Sequence, residues 1–548
     1  MERRALITGL FNRKTKEKTN ESKVSMAPSL APYQGEWTFG AAGHLLRRTT
    51  FGPTYSAIKQ AVAQGLEATI EQLFTEQPLP PLPINYSFQD DPTTPVGETW
   101  VFKAHDRTIM NLNTSRKASL NAWQMGLFNE GGVSIREKLV LFWHNHFVIS
   151  DIELAAYNFH YLDTLRRNAL GNFRTLTEEI TVAPSMLRYL NGNENTREAP
   201  NENYARELLE LFTIGKGNTA GPGDSTTFTE DDVIALAKSL TGWQSRDDDG
   251  IVSGVFRNNR HDTSDKQLSH RFDNAIITNG GAEEYKQVID IILQQEETAR
   301  YLCRRLHIWF VGADINDDVE VNIIEPMAAL IRENNYEIKP ALSALLSSEY
   351  FYETTIRGCM VNHPIDFLFK MVNTFELALP NNLERKYRAW LEIHRAAQDL
   401  DMTILVHPSV AGWKAFHQAP QFYDVWANSV ALPQRERIIN ILLDGLSAGG
   451  QNVIQIDTLT VISKLENPLE PNDLITDLAN TLFPNPISQG QIEFLKEILI
   501  PGLPDYEWTV EYAEYLEDPD NQDKRIGVEN KLKALLGTML KMPENYLI

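Results

Sequence analysis

The chain has 548 residues, 42% hydrophobic, 9% aromatic and 23% charged, with a formal net charge of −22. That apolar content excludes a disordered chain, and two cysteines exclude a disulfide scaffold. The acidic excess speaks against a nucleic-acid binder, whose affinity rests on neutralising phosphates, and no window reaches the roughly 18 apolar residues of a membrane span.

Residues 1–24 carry seven Lys or Arg against three Glu. A basic arm, taken as residues 1–35, therefore precedes an acidic body, and its low apolar content predicts disorder. Its start, Arg3-Arg4-Ala5-Leu6-Ile7, has the paired arginines of an export signal, but the apolar stretch ends at Phe11 without a small-residue cleavage site. The cytoplasm is favoured over export.

From there the rhythm is helical. Ala41 to Leu46 begins one helix, and Ile58, Val62, Leu66, Ile70 and Leu73 keep a period near 3.6 over 55–74. A proline-rich loop over 78–97 breaks it, because proline fixes φ and removes donors. Helical patterns return at 101–129, 134–145, 151–168, 172–190 and 199–214. Gly215 to Ser225 lacks the order of a phosphate-binding P-loop and reads as a surface turn. Thr229 and Asp232 form a capping box that opens a helix towards Gly242. Residues 244–275 are the one β island, with a turn at Asp247 to Gly250 before Ile251 to Phe256. Further helices are predicted at 282–296, 297–311, 319–334, 338–350, 363–378 and 384–399, and, after an aromatic stretch at 405–430, at 433–446, 470–482, 488–499, 507–517 and 528–541. Those aromatics, Trp413, Phe416, Tyr423 and Trp426 among them, fit a core better than the floor of a groove. The fold class is mostly α: a large multi-helical domain over 36–430 with a small β insertion near 244–275. A C-terminal helical subdomain, 431–548, packs on it.

Three short motifs concentrate polar chemistry. His144 and His146, in Trp143-His144-Asn145-His146-Phe147, share a metal only if the backbone there is extended; on a helix they diverge. In Asn201 to Phe212 a helix puts Asn203, Glu207 and Glu210 on one face, with Glu202 and Arg206 as an adjacent ion pair. Carboxylates at this spacing complete a metal shell or act as acid and base; equally, they form a solvated face. His261-Asp262, with Lys266 beyond, offers a base with an orienting carboxylate, or simple turn chemistry.

These motifs, in this order, resemble the bacterial domain of unknown function 1800 family. The stretch Ala41-Ala42-Gly43-His44-Leu45-Leu46-Arg47-Arg48-Thr49-Thr50-Phe51-Gly52-Pro53-Thr54 and Leu240-Thr241-Gly242-Trp243 belong to the same likeness, which runs from about residue 38 to the end. The later part, with Ala299 to Cys303 and Met542-Pro543-Glu544, is similar to versions from the Bacteroidetes. Asn362-His363-Pro364 departs from the Lys-Ser-Pro-like segment expected there. The resemblance makes His144, His146, Glu202, Asn203, Arg206, Glu207, Glu210, His261, Asp262 and Lys266 the site candidates and brings no catalytic assignment. Family members often look exported and are often encoded beside proteins similar to sulfatases and alkaline phosphatases, which implies a partner of that kind.

Two functions follow. In the first, a metal-assisted hydrolase, His144, His146 and Glu207 hold a divalent ion such as zinc. His261, Asp262, Arg206 and Glu210 supply catalysis, and Asn203, Lys266 and Glu202 bind substrate. In the second, a non-enzymatic helical scaffold or binding subunit, the same residues are a buried network that fixes helix packing.

Overall fold

Apolar residues repeating near every 3.6 positions bury one stripe of a helix, and such helices carry most of this chain. The structure, a computed structural model, describes residues 27–87, 89, 91–221, 224–447 and 453–548. The expected arm therefore lies largely outside the described residues. Its last part does not: Tyr33 N–H donates to Ser347 O at 2.8 Å and Pro32 pairs with Ser348, so the arm ends earlier than residue 35.

Helix α1 (Phe39–Thr49) starts at Thr38, whose hydroxyl caps Ala41 N–H, and is buried on all sides from Ala41 to Thr49. The turn after it crosses a later helix at Gly52, which has φ +74°; a Cβ there would stand 2.6 Å from Lys370 Cα and 2.7 Å from Phe369 O. Gly52→Ala is expected to destabilise the protein by about 1–3 kcal/mol in urea unfolding, through both the positive φ and the contact. A change within about 0.3 kcal/mol would show that the turn relaxes freely.

Helices α2 (Tyr55–Gln64) and α3 (Leu66–Leu73) follow. The proline-rich loop is fastened by Asn85, which donates to the carbonyls of Asp91 and Thr94, and by a buried Asp91–Arg116 pair at 3.0 Å. Helix α4 (Leu112–Glu130) is shorter than predicted, because the Asp106 carboxylate ties up the Thr108 N–H in a turn and Asn111 takes φ +65°. Next come α5 (Arg136–His146), α6 (Ala155–Arg167), α7 (Phe173–Thr181) and α8 (Pro184–Tyr189). The single helix predicted over 172–190 divides in two because Pro184 has no N–H and holds Ala183 extended. Helix α9 (Asn203–Glu207) widens into a π-helical turn over Leu208–Thr213. Helix α10 (Glu230–Ser239) opens on the predicted Thr229–Asp232 capping box.

Among the described residues, strands occur only as two-stranded antiparallel pairs. Strands β1 (Thr219–Gly221) and β2 (Asp224–Ser225) pair within the glycine-rich stretch 215–225. The β insertion consists of β3 (Trp243–Asp248) with β4 (Ile251–Phe256), in register from Trp243↔Phe256 to Asp248↔Ile251, and β5 (Lys266–Gln267) with β6 (Ile276–Ile277). Then follow α11 (Glu284–Gln294), α12 (Glu296–Phe310), α13 (Asp317–Val319), α14 (Glu325–Glu333), α15 (Ile338–Leu346), α16 (Pro364–Thr374) and α17 (Leu383–Asp399). The aromatic stretch packs inward: Trp413, Phe416, Tyr423 and Trp426 are all buried, and Phe416 stacks on Trp309 at 4.3 Å.

The last part comprises α18 (Ala431–Asp444), α19 (Thr458–Ile462), α20 (Pro471–Leu482), α21 (Gln489–Leu499), α22 (Tyr506–Glu517) and α23 (Gln522–Lys541). Helix α23 packs against α18, α19, α21 and α22, while α20 lies against α1. Among the described residues, no helix is long and apolar enough to cross a membrane. The fold is mostly α, with a small β insertion between Trp243 and Ile277.

Candidate functional site

Helix α5 stays helical through His146, so the two histidines point about 200° apart, and the extended backbone that a shared metal needs is not there. His144 Nδ1 lies 2.9 Å from the Tyr161 hydroxyl, which itself donates to Phe147 O at 2.7 Å. The ring must therefore donate at Nδ1, and its Nε2 accepts the Leu405 N–H at 3.0 Å. No lone pair remains for a metal. His146 donates through Nε2 to Phe212 O at 2.8 Å, while its Nδ1 is buried without a partner. Burial pushes His144 well below the usual histidine range. Burial, helped by Arg305 and opposed by the Phe212 carbonyl, brings His146 down to about 3.

The segment 201–212 does meet His146, but through its backbone at Phe212 and not through a carboxylate. Arg206 turns away to α10, where it grips Glu230 with two bonds of 2.7 Å, and it also holds Glu202 at 3.0 Å. This bidentate geometry holds the Glu230 carboxyl below its ordinary value. Glu207 is half-buried; desolvation, then the neighbouring Glu210 carboxylate, raises its carboxyl. Glu210 reaches Lys216 at 3.3 Å, and Asn203 is exposed. The set expected to hold zinc, His144, His146 and Glu207, is thus not assembled. Among the described residues, no group of three His, Cys, Asp or Glu side chains is placed to hold a metal ion.

His261 and Asp262 do not act on each other. Asp262 folds back on its own loop, accepting from Ser264 N–H and hydroxyl at 2.9 and 2.5 Å. The carboxylate that faces His261 is Glu284, at the first turn of α11: His261 Nε2 lies 3.0 Å from Glu284 Oε2, and Nδ1 lies 2.9 Å from Thr241 O. Lys266 Nζ donates to Glu284 Oε1 at 2.5 Å and to Asp262 O at 2.6 Å, and Gly280 N–H reaches Oε2 at 3.1 Å. The side chains of His261 and Glu284 are 0% exposed and that of Lys266 is 1% exposed, so these three groups are closed to solvent, while Asp262 is 17% exposed.

Sequence reasoning missed Glu284, Glu230 and Tyr161. Glu283-Glu284 reads as ordinary acid at a helix start, which the macrodipole favours anyway. The one usable signal was the unpaired Lys266, which needs a buried carboxylate once the loop around it is packed.

No curated protein and no solved structure is significantly similar to the chain. A family model does match it, over residues 44–545, under the description Protein of unknown function (DUF1800). The chain belongs to that family.

Proposed function

We propose that the protein is a non-enzymatic helical binding subunit, in which the three polar motifs fix the packing of helices and hairpin. One observation carries this reading: the fully buried Glu284 carboxylate takes up both His261 and Lys266, the residues a catalytic reading would need free. Arg206 fits it too, since its guanidinium is spent on joining α9 to α10. The partner implied by the resemblance, a sulfatase- or phosphatase-like protein, is the natural one to test by co-purification.

Lys266→Met is expected to lower the melting temperature by several degrees, because His261 and Glu284 lose the ammonium that completes their network. Elemental analysis of the purified full chain is expected to give the same metal content for wild type, Lys266→Met and His146→Ala. A stoichiometric metal in the wild type that His146→Ala loses, with melting unchanged, would overturn the proposal in favour of metal-assisted hydrolysis.

A further inference from the structure

A groove lies between α3, α15 and the chain entering at Pro32 and Tyr33. Its volume is about 900 Å³, within the range of ligand sites. Tyr33, Leu66, Ile70 and Pro340 give it an apolar lining, and the Tyr33 ring rests against Tyr352, 4.4 Å away. Leu66 and Ile70 stand one turn apart on α3 and so share a face.

Three carboxylates, Glu67, Glu71 and Glu337, share this lining with a single ammonium, Lys339. Lys339 is taken up by Glu71, at 3.1 Å from both of its oxygens. Glu337 accepts from the Asn172 side-chain amide at 2.9 Å. Among the described residues, no cation pairs with Glu337 or Glu67. All three carboxylates are exposed, so the groove sets uncompensated negative charge beside an apolar floor. The complement of such a surface is a segment in which basic residues flank apolar ones.

Residues 1–24, with seven Lys or Arg against three Glu, supply that pattern: Leu6, Ile7, Leu10 and Phe11 stand between Arg3-Arg4 and Arg13-Lys14. They lie outside the described residues, which begin at Ala27, but the chain that follows leads straight to the groove. Ser29 O and Ala31 O accept from the N–H groups of Tyr350 and Glu349, and Pro32 and Tyr33 already form the groove wall. The stretch from Lys14 to Ser29 spans up to about 50 Å when extended, ample for a return to the groove.

We propose that this groove is the docking site of the chain's own basic arm, with Leu6, Ile7, Leu10 and Phe11 against the apolar lining. The arginines and lysines that flank them then face Glu67 and Glu337. Tethering supplies an effective concentration on the order of millimolar, so a weak contact suffices. The groove is separate from the three motif networks and does not depend on their role.

Limited trypsin digestion of the full chain tests the proposal, in roughly 0.15 M salt, which screens loose attraction to the acidic body beyond about 8 Å. Cleavage after Arg13 and Lys14 is expected to be at least about fivefold slower than in a synthetic peptide of residues 1–26, since cleavage tracks the undocked population. Glu67→Lys combined with Glu337→Lys, both at exposed positions, is expected to bring the rate to that of the peptide. Glu514→Lys combined with Glu517→Lys makes the same charge change on α22 and is expected to leave the protection intact. A full-chain rate equal to that of the peptide overturns the proposal, and so does protection that both double variants lose alike or both keep. Carbodiimide coupling, which joins a lysine amine to a carboxylate with loss of water, gives a second readout. Links from Lys14 or Lys16 to Glu67, Glu71 or Glu337 are expected within one chain, and links spread evenly over the acidic surface overturn the proposal. In a mixture of heavy- and light-isotope chains, groove links joining the two kinds would place the arm of a second copy there and overturn it as well.

Discussion

Replacing Glu284 by leucine is expected to destabilise the protein by about 3–5 kcal/mol, one of the largest effects available from a single side chain. The carboxylate sits at 0% exposure between His261 Nε2 and Lys266 Nζ. Its removal leaves an ammonium and a ring N–H in an apolar interior with no acceptor. The double variant Glu284→Leu with Lys266→Met is expected to recover part of the loss, because taking out both members of a buried pair removes the uncompensated charge along with the attraction. Denaturant unfolding of the wild type, both singles and the double closes the cycle. A loss below about 1 kcal/mol for Glu284→Leu would mean that water enters and solvates Lys266.

Acid is expected to destabilise the protein well before its carboxylates titrate. Burial holds His146 down to about 3 and His307, His394 and His407 down to about 4. Each is buried. In the unfolded chain a histidine takes up its proton near pH 6.5. Between that value and the folded one, the unfolded state binds more protons, so stability rises with pH there. The contribution is complete above about pH 6.5 and is lost as the pH falls towards 4 and then 3, at about 1.4 kcal/mol per pH unit for each group. Four such groups are enough to rival a typical total stability of about 5–15 kcal/mol. The unfolding midpoint in denaturant should therefore drop steeply between pH 7 and pH 5. His407→Gln should make the fall shallower by one proton's worth. A flat profile over that range would mean that these rings are protonated, or reached by water, in the native state.

The helical frame was legible because its signals are local. The capping box at Thr229 and Asp232 and the turn at Asp249-Gly250 each act within a few residues and stand where expected, whereas the continuous period over 55–74 is cut into two helices by Gly65, which takes φ +88°. The misses were local conflicts of another kind. The break at Pro184 and the late start of α4 came from single residues that veto a periodic pattern. The site was far less legible. Whether His144 and His146 can share a metal depends on two backbone residues being extended, and the apolar neighbours that set this backbone, Trp143 and Phe147, suit a helix end equally well. His261 and Lys266 stood in one motif, but the carboxylate they share comes from α11 and only folding joins them. Arg47 and Arg48 stood within a motif that the resemblance picked out, but sequence does not show that the carbonyls holding them come from Val311, Ile356, Asn480 and Thr481.

The partners of the α1 arginines bear on how the protein is made. Arg48 donates to Val311 O and Ile356 O, 263 and 308 residues further along, and Arg47 to Asn480 O and Thr481 O, 433 and 434 residues further along. At about 5–20 residues per second, the segment carrying Arg47 and Arg48 waits on the order of tens of seconds for these partners. Until then the two guanidinium groups at the end of α1 lack the carbonyls that hold them in the folded protein. Contacts of such long sequence separation slow folding.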